Sequence, residues 1–165
     1  MMFRNTIRTF VATLALAALL LAGWRSDAMQ KEKTPAKAYG PIAWTASLAK
    51  ARKTAQQQNR PILLDLYAEW CGPCKEMLRT TYKDRQVVER AKQFVPVLID
   101  VDKQPELAAK YGVNALPTVI FLNAKGQLIR KEVGYHDTDE FLKLTDEVLK
   151  QVSAGKKDAQ GVAQK

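Results

Sequence analysis

Three short apolar runs, PILLDLY (61–67), FVPVLIDVD (94–102) and TVIFL (118–122), stand among segments with helical periodicity. That alternation constrains the fold more than anything else in the chain, because runs of this length suit strands buried within a sheet. Ahead of the first run, Trp44, Leu48, Ala51 and Ala55 fall on one helical face, and the polar QQQNR closes that helix. A helix is expected to begin around Pro73 or Cys74, since Pro is tolerated in a first turn. Val87 to Ala91 predicts a further helical turn or two. Pro96 cannot donate a ladder hydrogen bond, which places it near its strand's start or on a sheet edge. Pro105 opens a helix that Gly112 ends. NAKG (123–126) reads as a turn, after which LIRKEV (128–133) pairs back as a hairpin. A last helix follows Thr138, with Phe141, Leu144 or Thr145, Val148 and Val152 on its inner face. The order α-β-α-(α)-β-α-β-β-α predicts an α/β domain with a central mixed sheet and helices on both faces.

The ends of the chain read differently. Arg4 and Arg8 precede FVATLALAALLLAGW (10–24), fifteen residues without a charge, and Ser26-Asp27-Ala28 offers small residues at a cleavage position. This is the pattern of a secretory signal peptide over 1–28, cut after Ala28. The apolar run is short beside the roughly 20 residues of a membrane span, so an uncleaved anchor is the alternative. Trp24 stands where lipid attachment would need a cysteine, and no lipid anchor is expected. Residues 29–40 (MQKEKTPAKAYG) read as a flexible linker, 41–152 as the folded domain, and 153–165 as a disordered basic tail. Removing 1–28 takes away Arg4, Arg8 and Arg25 against Asp27, lowering the formal charge from +9 to +7. The lysines are scattered and no basic run interleaves with aromatics, so nucleic acid is not an expected partner.

Both cysteines lie in AEWCGPCKEM (68–77), three positions apart with Gly72 and Pro73 between them. Zinc normally takes four ligands, and this chain offers two cysteines and the single His136, far along the sequence. No metal is expected. A structural disulfide across so small a loop would remove little chain entropy. Redox exchange fits better. A cysteine at a helix N-terminus meets unpaired N–H groups and the positive end of the helix dipole, both of which favour thiolate. A second cysteine one turn inside shares its face and can attack a mixed disulfide from within the molecule. Gly72 and Pro73 supply the tight turn.

WCGPCK (70–75) resembles the thioredoxin active-site motif at every position. The resemblance continues through LLDLYAEW, IDVD, KYGVNALPTVIFL and KGQLIRKEVGY, covering roughly Ile62 to Val152. The opening helix running into NRPILLDLYAEWC is similar to exported thioredoxin-like domains, such as the C-terminal domain of DsbD. The resemblance implies a thioredoxin fold and a redox-active Cys71–Cys74 disulfide. It makes Cys71 the exposed attacking nucleophile and Cys74 the buried resolving cysteine. It implies a cis bond before Pro117 that turns the backbone of Leu116 outward for a substrate strand. Gly134 lines the same groove, Trp70 stands beside the cysteines, and Gly72 and Pro73 complete the substrate-binding set. Asp65 matches the family's buried aspartate, a proton acceptor for Cys74. Thioredoxin has a lysine on the adjacent strand where this chain has Leu98, so Asp65 is expected to titrate high here.

Gly-Pro between the cysteines is thioredoxin's own pair, and thioredoxin sits near −270 mV against about −120 mV for DsbA. Only 43 residues separate Cys74 from Pro117, too few for the helical insertion of DsbA-like oxidases. These features point to a periplasmic protein-disulfide reductase that acts on exported proteins by dithiol–disulfide exchange. Such a reductase needs no bound cofactor, works as a monomer, and must be recharged by a membrane electron donor of the DsbD or CcdA type. The alternatives are a disulfide oxidase or isomerase of the same compartment, or a redox-inactive thioredoxin-fold binding module.

Overall fold

The computed structural model describes residues 39–162; the expected signal segment, residues 29–38 of the expected linker, and residues 163–165 lie outside them. The first helix, α1 (Leu48–Gln58), begins where Ser47 accepts a hydrogen bond from the Lys50 N–H. It stops at Asn59, whose left-handed φ of 48° lets the backbone turn into the first strand. The remaining elements are β1 (Ile62–Tyr67), α2 (Gly72–Arg79), a 3₁₀ turn (Thr81–Lys83), α3 (Arg85–Ala91), β2 (Val95–Asp100), α4 (Pro105–Lys110), β3 (Thr118–Leu122), β4 (Leu128–Val133) and α5 (Thr138–Val162). This is the order expected from the pattern, and the architecture is the thioredoxin fold.

Four strands form one sheet in the order β2-β1-β3-β4. β1 runs parallel to β2 and antiparallel to β3, which in turn pairs antiparallel with β4. All residues of β1 and β3 are buried, as central strands covered on both faces must be. Pro96 is the second residue of β2, the edge strand. Beyond that edge, Thr45 accepts from the Leu98 N–H at 3.0 Å and donates to the Pro96 carbonyl at 3.1 Å.

Period-two alternation along the strands divides the core. On one face Leu63, Leu98, Val119 and Phe121 pack with Met77, Leu78, Tyr82, Val87, Phe141, Leu144 and Val148 from α2, α3, α5 and the 3₁₀ turn. On the other, Leu64, Leu66, Val97, Ile99 and Ile120 pack with Leu48, Ala51 and Ala55 of α1 and the flank of α4. Trp44 departs from the sequence reading. It precedes the Ser47 cap and packs on the α2–α5 side instead of sharing the face of Leu48 and Ala51. The cause is the extended Thr45, which pairs with β2 before the helix can start.

Asp137 and Glu140 cap α5 reciprocally, each carboxylate accepting from the other residue's N–H. Leu144 and Thr145 are both buried, Thr145 being satisfied by the Phe141 carbonyl at 3.0 Å. The apolar pattern ends at Val152, and a disordered tail is expected from 153, but the helix continues to Val162. No proline interrupts this stretch, and its Ala, Lys and Gln residues are good helix formers. Among the described residues, no helix is long and apolar enough to cross a membrane.

Phe141 is fully buried and Leu128 is 60% exposed. Phe141→Ala is expected to lower stability by about 3–5 kcal/mol, and Leu128→Ala to change it by less than about 0.5 kcal/mol. Urea denaturation of the two variants checks the assignment of the core.

Candidate active site

The central strand delivers the chain to the cysteines. After Tyr67 a short turn closes with the Cys71 N–H bonded to the Ala68 carbonyl at 3.1 Å, and α2 starts at once. Cys71 is the N-cap: its Sγ accepts from the Cys74 N–H at 3.2 Å. Pro73 occupies the first turn, where its missing N–H costs nothing. Cys71 and Cys74 are joined as a disulfide. Cys71 is 4% exposed and Cys74 2%, so the expected contrast between an exposed and a buried cysteine is small in this oxidised state. Gly72 does not adopt the left-handed backbone that only glycine takes easily. A Cβ there would meet nothing within 4 Å, so what Gly72 contributes is open space beside the disulfide.

The sheet brings the other expected residues to the same end. Thr118, the first residue of β3, pairs with Leu66 of β1 and with Val133 of β4. Pro117 and Gly134 therefore lie just past the sheet, at the end where β1 runs on to Cys71. The Leu116–Pro117 bond is cis. Gly134 donates its N–H to the Pro117 carbonyl at 2.9 Å and has a φ of 109°, a conformation suited to glycine. Trp70 is 69% exposed, and its indole Nε1 donates to Asp102 Oδ2 at 2.9 Å. Asp102 follows β2, and its own N–H bonds to Asp100 Oδ1 at 3.1 Å, so the indole is tethered to the neighbouring strand's end.

Asp65 sits in the middle of β1, between Leu63 and Tyr67, which pack on the α2–α5 face. Its register partner on β2 is Leu98, the position expected to be apolar. The carboxyl group is 2% exposed and Oδ1 has no hydrogen-bond partner. Burial pushes its pKa up from 3.8 to about 7, offset in part by the Tyr82 hydroxyl. Withdrawal of the charged form from water is the dominant cause, so the neutral acid is favoured far above the usual carboxylate range. At neutral pH such a group can both hold and release a proton.

A sequence-family model described as thioredoxin-like domain matches residues 48–149. The chain belongs to the thioredoxin-like domain family. Within it, the chain is 33% identical over 137 residues to the thiol:disulfide interchange protein DsbD of Klebsiella pneumoniae, covering 79% of this chain and 23% of that protein. It is 34% identical over 107 residues to the DsbD of Vibrio vulnificus, covering 62% and 18%. The chain thus spans about a fifth of the length of these curated relatives. A thioredoxin from Thermus thermophilus matches with a TM-score of 0.60 at 27% identity, over 66% of this chain and 87% of that one. The reduced C-terminal domain of Neisseria meningitidis DsbD matches with a TM-score of 0.55 at 28% identity, over 65% and 98%. A thioredoxin-like domain whose C-x-x-C pair closes as a disulfide is a thiol-disulfide oxidoreductase, and the chain is an enzyme of that class.

The thioredoxin-like domain also has neighbours of the site that the sequence reading passes over. Tyr39, assigned to the flexible linker, packs edge-on against Tyr67 with ring centroids 5.3 Å apart. The Tyr67 hydroxyl donates to the Tyr39 oxygen at 2.8 Å, and the Tyr39 hydroxyl donates to Glu69 Oε1 at 2.5 Å. The chain entering the domain is thereby fastened to the turn that precedes Cys71. Tyr82, the residue closest in kind to a partner for Asp65, is the second omission. Both are single tyrosines outside any periodic pattern, and only a three-dimensional arrangement reveals their partners.

Because the folded pKa of Asp65 lies above its unfolded value, folding takes up a proton between about pH 4 and pH 7. The stabilising contribution is complete below pH 3.8 and is lost as pH rises through about 7, a change on the order of 4 kcal/mol. Asp65→Asn removes this titration. The variant of the oxidised chain is expected to gain stability relative to wild type as pH rises through that window. Urea denaturation at a series of pH values measures it, and parallel profiles would contradict the assignment.

Proposed function

We propose that the chain is a protein-disulfide reductase that works by dithiol–disulfide exchange in the periplasm. The observation that carries this reading is the disulfide-bonded C-G-P-C pair at the start of α2, reached directly from a strand that holds a buried carboxyl group. In the reduced enzyme the Cys71 thiolate, stabilised by the helix N-terminus and the Cys74 N–H, attacks one sulfur of a substrate disulfide. A mixed disulfide forms and the substrate's other sulfur leaves as a thiolate. Cys74 then gives its proton to Asp65 and attacks Cys71 Sγ. The Cys71–Cys74 disulfide forms, the substrate's second sulfur leaves, and two electrons have passed from enzyme to substrate.

Trp70, Gly72, Pro73, Leu116, Pro117 and Gly134 form the substrate-binding surface in this reading. Their placement at one end of the sheet and the open space beside Gly72 support it. The signal pattern in residues 1–28 and the similarity to proteins named for thiol:disulfide interchange support this compartment. The substrates are disulfide-bearing exported proteins. The enzyme, a monomer, is recharged by a membrane donor of the DsbD or CcdA type, since an oxidising compartment supplies no soluble reductant.

Cys74→Ala stops the reaction at the mixed disulfide. Expressed with its signal segment, that variant is expected to retain exported disulfide proteins and a membrane electron donor through Cys71. A trapped set rich in unfolded precursors and lacking any membrane donor would indicate an oxidase. The reduction potential, measured by equilibration with dithiothreitol, is expected nearer −270 mV than −120 mV, and a value more positive than about −180 mV would contradict the reductase assignment.

A further inference from the structure

Two adjacent threonines follow α2, and their hydroxyls go to different places. Thr80 Oγ1 donates to the Glu76 carbonyl at 2.8 Å, the local bond that a threonine at a helix end commonly makes. Thr81 is 1% exposed and donates instead to the His136 carbonyl at 2.8 Å, across 55 residues of chain. Valine would fill such a buried place without desolvating a hydroxyl, so the long-range bond is what the hydroxyl contributes. Thr81 opens the 3₁₀ turn, and Tyr82 anchors that turn. The Tyr82 ring lies edge-on to Trp44, with centroids 5.1 Å apart, and to Phe141 of α5, at 5.3 Å. The donor is therefore a fixed point behind the helix that begins with the cysteine pair.

The acceptor belongs to the connection between β4 and α5. Gly134, the first residue of that connection, donates its N–H to the Pro117 carbonyl at 2.9 Å. At the other end, Asp137 and Glu140 cap α5. Between these ties Tyr135 is 42% exposed. The Pro117 turn is closed in its own right by the Thr118 hydroxyl, which donates to the Ala115 carbonyl at 2.7 Å. The Gly134 bond thus reaches the connection from the sheet, and the Thr81 bond reaches it from the α2 side. Together they join the helix that carries the cysteines to the stretches around Pro117 and Gly134.

We propose that Thr81 is a positioning residue for substrate binding, its hydroxyl fixing the Gly134–His136 connection relative to the cysteine helix. This rests on the reading of Leu116, Pro117 and Gly134 as part of the substrate-binding surface. Thr81 touches neither sulfur nor substrate. A loose connection would have to be ordered each time a substrate strand settled on it, which weakens binding and leaves the exchange step itself unchanged. The bond therefore favours protein disulfides, whose extended chain uses that surface, over small disulfides, which need the attacking sulfur alone.

The test compares Thr81→Val, which has nearly the same shape without the donor, with Thr81→Ser, which keeps the donor, in the full chain. Stopped-flow reduction of insulin and of cystine by the pre-reduced protein gives half-saturating concentrations and maximal rates. Loss of the bond is expected to raise the half-saturating concentration of insulin about fivefold, with its maximal rate and the cystine reaction unchanged. Thr81→Ser is expected to restore the wild-type value. Hydrogen exchange at the Gly134 N–H is expected to quicken by about the same factor in Thr81→Val and not in Thr81→Ser. Thr81→Ala, which cannot overfill the site, takes the place of Thr81→Val if that variant does not fold. An unchanged half-saturating concentration of insulin, or equal losses for insulin and cystine, would overturn the proposal. A cysteine-containing peptide trapped on Cys71 in Cys74→Ala separates this outcome from failure of the underlying reading. If the amide resonances of Leu116 and Gly134 do not shift on trapping, those residues are not the substrate surface. If they shift while Thr81→Val handles insulin as wild type does, the role of Thr81 alone fails.

Discussion

The central strand β1 is buried on both faces along its whole length, and every side chain it carries must be accommodated in the core. Five of its six residues are apolar or aromatic, and the sixth is Asp65. A carboxylate in that place loses its hydration and gains only the Tyr82 hydroxyl in return, which is why its pKa is pushed up to about 7. The apolar, well-packed surroundings are the cause of that rise. The same strand positions everything else in the site, because its last residue leads through one turn into Cys71.

Sheet topology turns this constraint into a site. The ends of β1 and β2 and the start of β3 meet, so Cys71, Asp102, Pro117 and Gly134 come from four separate stretches of chain yet share one end of the sheet. Backbone hydrogen bonds fix the arrangement: Val101 to Tyr67 at 2.9 Å and Gly134 to Pro117 at 2.9 Å tie the connecting loops to neighbouring strands. The helix behind the cysteines supplies the Cys74 N–H to Cys71 Sγ, while Asp65 lies in the middle of β1.

Much of this was legible from residue order alone. Short apolar runs between helical segments suffice to place β1, β2 and β3, and Pro96, Pro105, Gly112 and Gly126 mark edges and turns by local backbone preference. The resemblance to thioredoxin, counted back from Asp102, puts Leu98 on the strand beside Asp65, and the register pairs the two residues. What was illegible depended on long-range geometry. Trp44 reads as helical by spacing, but pairing of Thr45 with β2 takes precedence. Tyr39 sits in a Pro- and Gly-containing polar stretch whose composition says nothing of the Tyr67 hydroxyl. Helix α5 outruns its apolar pattern through a stretch whose Ala, Lys and Gln residues are good helix formers.

The account stands on electrostatic coupling between the buried carboxyl group and the cysteine pair. The most direct measurement is the titration of both reduced cysteines, labelled with carbon-13 at Cβ, from about pH 5 to about pH 10 in wild type and Asp65→Asn. Coupling predicts that the wild-type curves contain a step shared with Asp65 and that the variant loses it, leaving Cys74 to titrate at a different pH. Identical curves for wild type and variant would contradict the account.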